Sequence, residues 1–257
     1  MNEIETGYLK FASGLADQAH LVAVKYFNQV GASYKEDNSP VTIADIEINA
    51  NVAAAIKKVY PDMGLLGEEE SFDTERDLIW ICDPLDGTRA FLSGIPTFHF
   101  SIALVQKGRP IFALISDLTS NEKTWAFQDG GSHNMSGQIH VSQKPLQESI
   151  LGVGALGYLV ENPDIYKELK SCSKGLEFIH GAVVKGSLVA RGILGASVSG
   201  AAKAWDYAAI DLIVSEAGGK LTFLDGTVPN YSKYVEKSVV VSNGVSHQDV
   251  TNILAII

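Results

Sequence analysis

Four groups of acidic residues stand where a turn or a helix start would hold them: Asp45; Glu68 with Glu69; Asp83 with Asp86; and Asp206. Carboxylate oxygens suit hard divalent cations such as magnesium. Soft-metal ligation is poorly supported: Cys82 and Cys172 are isolated, no HExxH string occurs, and the histidines show no ligand spacing. The sharpest local case is DPLDGT, residues 83–88. Asp83 ends an apolar strand, so its carboxylate projects from a rigid base. Pro84 stiffens the turn. Asp86, three residues on, can face the same cavity, and the Leu85 carbonyl offers a further oxygen. Gly87 lets the backbone approach a ligand closely. Thr88 supplies a hydroxyl, and the turn amides suit an anion. By composition alone an ordinary Pro-containing turn with solvated acids is the stronger reading.

The other acids have bland readings too. GEEE, residues 67–70, is a solvated charge run or the carboxylate-rich end of a strand lying beside Asp83. In the second case one glutamate can bridge metals while another carboxylate orients water. Asp206 follows Trp205 at the start of a helix, where the dipole favours a negative charge. Read alone, it is an N-cap.

These groups need elements to carry them. Apolar spacing predicts a helix over 6–30 and a second over 43–59, the latter with Ile43, Ile46, Ala50, Ala53 and Ala54 on one side. The segment between them, 31–40, is polar and turn-rich and reads as a surface loop. GLLG and DLIWICD read as strands, with DPLDGT following as a turn. Segments 98–108 and 110–118 read as adjacent strands joined at a glycine turn, and 123–131 and QIHVS continue the strand-rich stretch. Further on, SILGVGAL is a strand, and 164–169 and 185–193 have helical character. Asp206 opens a helix ended by Gly218 and Gly219. KLTFLDG and KSVVVSNG are strands, and the remainder is a terminal helix. Composition shifts gently near residue 145.

The chain has 257 residues, 46% of them hydrophobic and 19% charged, enough for a sizeable core without staples and unlike a disordered chain. A net charge of -10 argues against a nucleic-acid polymer as partner. It agrees with a local carboxylate cluster or simply with an acidic surface. Two cysteines make no disulfide framework and fit a reducing, cytoplasmic setting. The first residues do not read as a signal peptide, and no apolar run reaches the ~18 residues of a membrane span.

Taken together, GEEE, DPLDGT and AWDYAAIDLIVSEAGG (204–219) resemble the inositol monophosphatase family, and VTIAD, with Thr42 and Asp45, looks like its early motif. The resemblance covers almost the whole chain. The wider superfamily includes histidinol-phosphate, bisphosphate-nucleotide and fructose-bisphosphate phosphatases. The resemblance implies an α/β fold, a layered α/β/α/β/α sandwich of the inositol monophosphatase/fructose-bisphosphatase type. An N-terminal α+β lobe (1–145) would carry most metal ligands, and a C-terminal α/β lobe (146–257) Asp206 and much of the substrate pocket. It implies two or three magnesium ions: one on Glu68, Asp83 and the Leu85 carbonyl, one among Asp83, Asp86 and Asp206, and a weaker third on Glu68 and water. Asp45, Glu68 and Thr88 would be catalytic, Asp45 and Thr88 by positioning the attacking water. Asp86, Gly87, Thr88 and Asp206 would contact the substrate, the Gly87 and Thr88 amides at its phosphate. Glu69 is a neighbour of less defined role.

The expected activity is hydrolysis of a small polyol or sugar phosphate monoester, in a homodimer sensitive to lithium. The small phosphorylated metabolite is its partner, with no membrane. Many members carry an acid seven positions before Asp206, where this chain has Ser199, and the Ser-Arg signature is absent around LGVGALG. These departures keep open histidinol phosphate or 3'-phosphoadenosine 5'-phosphate as substrate. They also keep open a phosphate- or metal-binding regulator that retains the fold. Arg89, Ser187, Lys185 and Lys35 are further pocket candidates, each equally readable as an ordinary surface or wall residue; Lys35 lies in a loop that could close over phosphate.

Overall fold

A computed structural model describes residues 2–36, 38–154, 156–232 and 236–255, with the backbone alone at 156–158. The first half of the chain forms α1 (Glu3–Tyr26), β1 (Ser33–Tyr34), β2 (Pro40–Val41), α2 (Ile43–Val59), β3 (Gly64–Gly67), β4 (Ser71–Phe72), β5 (Leu78–Asp86), α3 (Thr88–Leu92), β6 (His99–Gln106), β7 (Arg109–Asp117), β8 (Lys123–Phe127), β9 (Gly131–Asn134) and β10 (Gly137–Gln138). The second half forms β11 (Ile150–Val153), α4 (Leu156–Glu161), α5 (Pro163–Cys172), β12 (Gly175–Phe178), α6 (Ala182–Ala190), β13 (Ala196–Ala202), α7 (Ala204–Glu216), β14 (Lys220–Phe223), β15 (Lys237–Ser242) and α8 (His247–Leu254). Among the described residues one sheet has the order β10-β9-β8-β7-β6-β5-β3-β4 and another β12-β11-β13-β15-β14, with β1 and β2 pairing apart.

The run LIWIC is apolar at consecutive positions because β5 is covered on both faces. Trp80 and Cys82 pack with α1 and α2, alongside Phe100, Ile102, Phe112 and Leu114. Ile79 and Ile81 point the other way, into a cluster with α6, α7 and the near face of the second sheet. Val153, Val198 and Val240 close the far face of that sheet against α5 and α8. The order α1–α2, first sheet, α6–α7, second sheet, α5–α8 is the expected five-layer α/β/α/β/α sandwich.

Several boundaries differ from the sequence reading. Helix α1 starts three residues earlier because Asn2 and Glu5 form a capping box, Glu5 N donating to Asn2 Oδ1 at 2.9 Å and Asn2 N to Glu5 Oε2 at 2.7 Å. It ends at Tyr26, ahead of Asn28 at φ +62°. The 31–40 segment forms most of a short antiparallel pair that runs on to Val41, with Tyr34 opposite Pro40 and Ser33 opposite Val41; Asp37, within it, lies outside the described residues. The predicted strand over 149–156 stops at Val153, and Ala155 likewise lies outside the described residues. QIHVS contributes only Gln138 to a strand. DPLDGT is no free turn: β5 continues through it to Asp86.

The buried face of α2 is also not the one predicted. Ile43 and Ile46 are 47% and 49% exposed, while Ala44, Asp45, Ile48, Asn49, Val52 and Ile56 point inward. The helix turns a face containing two polar residues toward the first sheet.

Two buried histidines give the fold an acid-sensitive component. His247 is held by Thr222 Oγ1 at 3.0 Å and Ser242 Oγ at 2.8 Å. Burial lowers both His99 and His247 to about 4. A neutral native histidine gives stability that is complete above the unfolded value of 6.5 and drains away as pH falls from there toward 4. The drain is about 1.4 kcal/mol per pH unit for each group. Buried carboxylates with raised values act in the opposite sense, so the test is a difference. The stability gap between wild type and His247→Gln in urea melts should narrow steadily from pH 6.5 to 4.5. A gap that is flat over that range contradicts the assignment.

Candidate metal and phosphate site

Strands β3 and β5 run parallel with Gly67 opposite Cys82, and the Glu68 amide donates to the Cys82 carbonyl at 3.2 Å. Glu68 therefore emerges beside Asp83, as the neighbouring-strand reading requires. Asp83 and Asp86 are three residues apart and would point to opposite faces of a regular strand. The pairing of β5 with β6 is irregular between them. Such an irregularity re-aims side chains, and here it lets both carboxylates reach one point. Asp206 arrives from the first turn of α7, its Oδ2 accepting from Lys203 N at 2.6 Å. One oxygen each from Asp83, Asp86 and Asp206 lies within 4.8 Å of the others.

Each carboxylate is tied down locally. Asp83 Oδ1 accepts from Leu85 N at 3.0 Å. Asp86 spans the start of α6, Oδ1 accepting from Ala182 N at 2.9 Å and Oδ2 from Val184 N at 3.1 Å. Gly181, at φ +89°, makes room for it: a Cβ there would sit 2.4 Å from Asp86 Oδ2. Burial pushes the Asp83 carboxyl well up, and the nearby Glu68, Asp86 and Asp206 push it further. Asp86 is raised by burial, against the pull of Lys185 and the two amides. Burial also pushes Asp206 up to about 7, with the Lys203 amide opposing and Asp86 and Glu68 reinforcing.

These three oxygens fit a divalent cation. A magnesium ion with bonds of ~2.1 Å places its ligand oxygens about 3–4 Å apart, so small side-chain rotations suffice. The donors are hard, buried and mutually repelling, and a cation relieves that repulsion.

A second constellation adjoins the first. Thr42 caps α2, and Asp45 Oδ2 accepts from its amide at 2.8 Å and its hydroxyl at 2.5 Å. The other oxygen, Asp45 Oδ1, faces the Thr88 hydroxyl at 3.2 Å; that hydroxyl also lies 3.1 Å from the Leu85 carbonyl. Burial raises the Asp45 carboxyl, and the threonine hydrogen bonds hold it back. Gly87, at φ +97°, turns the chain tightly enough that a Cβ would lie 2.7 Å from the Thr97 carbonyl. The short helix α3 begins directly after it.

Lys35 reaches across from the β1–β2 hairpin to Glu68 Oε1 at 2.8 Å and Glu69 Oε1 at 2.6 Å. Burial opposes its charge, but the two carboxylates prevail and raise its pKa. Glu69 is itself raised by burial despite Lys35. A cavity of about 260 Å³ opens over this ground, lined by Glu68, Asp86, Thr88, Lys185, Ser199 and Asp206, with Arg89 and His180 at its rim. Asp83 and Asp45 lie behind that wall.

The predicted residues Asp45, Glu68, Asp83, Leu85, Asp86, Gly87, Thr88 and Asp206 thus meet in one region. Ser187 does not: it lines a different cavity, with His99 and Arg191. Sequence reasoning missed the amides of Ala182 and Val184, whose only signal is a glycine before an apolar helix start. It also missed Asn49, whose Oδ1 receives the Glu69 amide at 3.4 Å and whose Nδ2 donates to the Glu70 carbonyl at 3.3 Å, shaping the GEEE turn.

Residues 5–255 match the model of the Inositol monophosphatase family. Chloroplastic phosphatase IMPL1 of Arabidopsis thaliana is 35% identical over 228 residues, 84% of this chain. The match spans 61% of that relative's own length. Histidinol-phosphatase of Mycobacterium tuberculosis is 29% identical over 253 residues, 94% of this chain and 95% of that protein. Among solved structures, the Thermotoga maritima IMPase superposes with a TM-score of 0.88 at 26% identity, covering 96% of each chain.

Proposed function

The chain belongs to the inositol monophosphatase family, and from that premise we propose that it is a magnesium-dependent phosphoric monoester hydrolase acting on a small polyol or sugar phosphate. The observation that carries the reading is the convergence of Asp83, Asp86 and Asp206 on one point at the wall of a cavity that Asp86 and Asp206 line, with the Asp45–Thr88 pair alongside. Glu68, Asp83 and the Leu85 carbonyl would hold one ion, and Asp83, Asp86 and Asp206 another. A bound divalent cation supplies Lewis acidity, neutralising phosphate charge and making water more acidic.

The chain's own groups do the rest. The amides of Gly87 and Thr88 receive the phosphate oxygens. Thr88, its proton given to Asp45, accepts a hydrogen bond from the incoming water and aims it at phosphorus. Glu68 assists in orienting that water. The water oxygen bonds to phosphorus as the ester P–O bond breaks in line. The attacking water gives up one proton to solvent and the leaving alkoxide takes one up from solvent, so that the ester and water become an alcohol and hydrogen phosphate and no phosphoenzyme forms.

The cavity wall shapes the choice of substrate. Ser199 lines the cavity with a hydroxyl where many family members have a carboxylate. That weakens selection for a vicinal diol and keeps histidinol phosphate as the second reading, which the Mycobacterium tuberculosis relative's name supports. Phosphate release from inositol 1-phosphate, histidinol phosphate and 3'-phosphoadenosine 5'-phosphate, with magnesium and with a chelator, separates these readings. Highest kcat/KM on inositol 1-phosphate supports the first. Binding without magnesium-dependent turnover of any ester overturns the enzyme reading and leaves a regulator. Lithium is expected to inhibit turnover by occupying a magnesium site, more strongly as magnesium is lowered, and full activity in excess lithium contradicts the family parallel. Homodimer formation, proposed on the same parallel, is read by light scattering. The free cysteines support a reducing compartment, and no helix of the described residues is long and apolar enough to cross a membrane.

A further inference from the structure

Lys185 is a charged side chain only 2% exposed, in α6 directly after Val184, one of the two residues whose amides hold Asp86. Its Nζ donates to the carbonyls of Gly181 at 2.7 Å and Ile179 at 3.2 Å. Gly152 of β11 and Gly154 just after it leave room for the side chain. A Cβ on Gly154 would sit 2.5 Å from Nζ, and one on Gly152 would sit 3.3 Å from the lysine Cδ. Any larger residue at Gly154 would push the ammonium away. The GVG sequence that stands where the family signature is missing thus has a physical role: it is the trough in which this lysine lies.

The ammonium is close to the carboxylates. Gly181 touches both: its carbonyl receives the lysine proton, and its α-carbon faces Asp86 Oδ2. Lys185, Asp86 and Asp206 line the same cavity. Burial lowers the lysine pKa, and attraction to Asp86 and Asp206 offsets part of that. Its hydrogen-bond partners are neutral carbonyls, so its charge acts on the two carboxylates through space.

We propose that Lys185 is a built-in counter-charge of the carboxylate cluster and sets how tightly the site takes a divalent cation. The proposal rests on reading the cluster as a cation site. The attraction between Lys185 and the two aspartates stabilises the protein before a cation arrives. Once a divalent ion sits among the same oxygens, it repels the ammonium. The attraction is present in both states and the repulsion only in the loaded one, so Lys185 weakens cation binding while stabilising the site without it. The site then takes magnesium reversibly in place of locking it in, which suits an enzyme whose product phosphate must leave.

The test is Lys185→Met, which keeps an unbranched chain in the trough and removes the charge. Magnesium titrations by calorimetry at pH 8, on chelator-treated and dialysed protein, should show a Kd lower by about tenfold, as expected for loss of one nearby like charge. Thermal melts should show a lower Tm without cation and a larger rise on adding magnesium. Lys185→Gln, which retains a donor for the carbonyls, should behave the same way and serves if the methionine variant does not fold. A Kd that is unchanged or higher in a cooperatively folded variant overturns the proposal. If wild type binds magnesium and hydrolyses phosphate esters but the variants bind it equally well, the Lys185 role fails alone. If wild type binds no magnesium, the cation-site reading fails and takes this proposal with it.

Discussion

Asp83→Asn is expected to lower turnover by ~10³-fold or more, the scale seen when a preorganised charge-stabilising group is removed, in a protein that remains folded. The carboxylate is 1% exposed and central to the cluster. Burial raises its pKa first, and the charges of Glu68, Asp86 and Asp206 add to that. An asparagine is nearly the same shape, and its amide oxygen can still accept from Leu85 N. Without a divalent cation the substitution removes one of several mutually repelling charges. The variant should then melt no lower than wild type in chelator. Wild type should gain stability on adding magnesium, by about 2.7 kcal/mol at a hundred times the dissociation constant. The variant should gain little. Two measurements, phosphate release and melting with and without magnesium, therefore move in different directions. Normal turnover, or an undiminished magnesium-induced rise in Tm, would remove Asp83 from the cation site.

The elements of this fold were readable where hydrophobic pattern and function agree. The apolar run of β5, the α7 helix and the pairing of Glu68 with the Asp83 strand all follow from the residues, although α7 opens at Ala204, with Lys203 as its N-cap and Asp206 in its first turn. The pattern misled where function required a polar residue to point inward. In α2 the apolar residues at 43 and 46 suggested one buried face, yet Asp45 and Asn49 occupy the true one, because they serve the Thr88 hydroxyl and the GEEE turn. Local rules fail most at such sites. DPLDGT misled for a related reason. Its proline and glycine signal a turn, but the strand needs only an irregularity there to bring two acids three residues apart onto the same side. Lys185 was legible only as a candidate for the pocket wall, where it does stand; its burial was not, since its trough is made by Gly152 and Gly154, more than thirty residues earlier.

Replacing Asp45 by Asn should reduce kcat by ~10²–10⁴-fold, the range for a positioned proton acceptor, with KM changed little. The geometry makes the effect directional. Asp45 Oδ2 is occupied by the amide and hydroxyl of Thr42, so an asparagine will keep its oxygen there and preserve the cap of α2. Its NH₂ group must then face Thr88. Where the carboxylate accepts the Thr88 proton across 3.2 Å, the amide donates instead. The hydroxyl turns toward the Leu85 carbonyl, and the lone pair that should receive the water is engaged. The amides of Gly87 and Thr88, proposed above to hold the phosphate, are untouched, so binding should survive. Thr88→Ala removes the same relay from its other end and should lose a comparable factor. Because the two side chains act as one unit, the double variant Asp45→Asn/Thr88→Ala should be no slower than the slower single variant. Unchanged melting of all three proteins establishes that the cap is intact. Losses that multiply in the double variant would mean that Asp45 and Thr88 act separately, and the water-positioning relay would have to be abandoned.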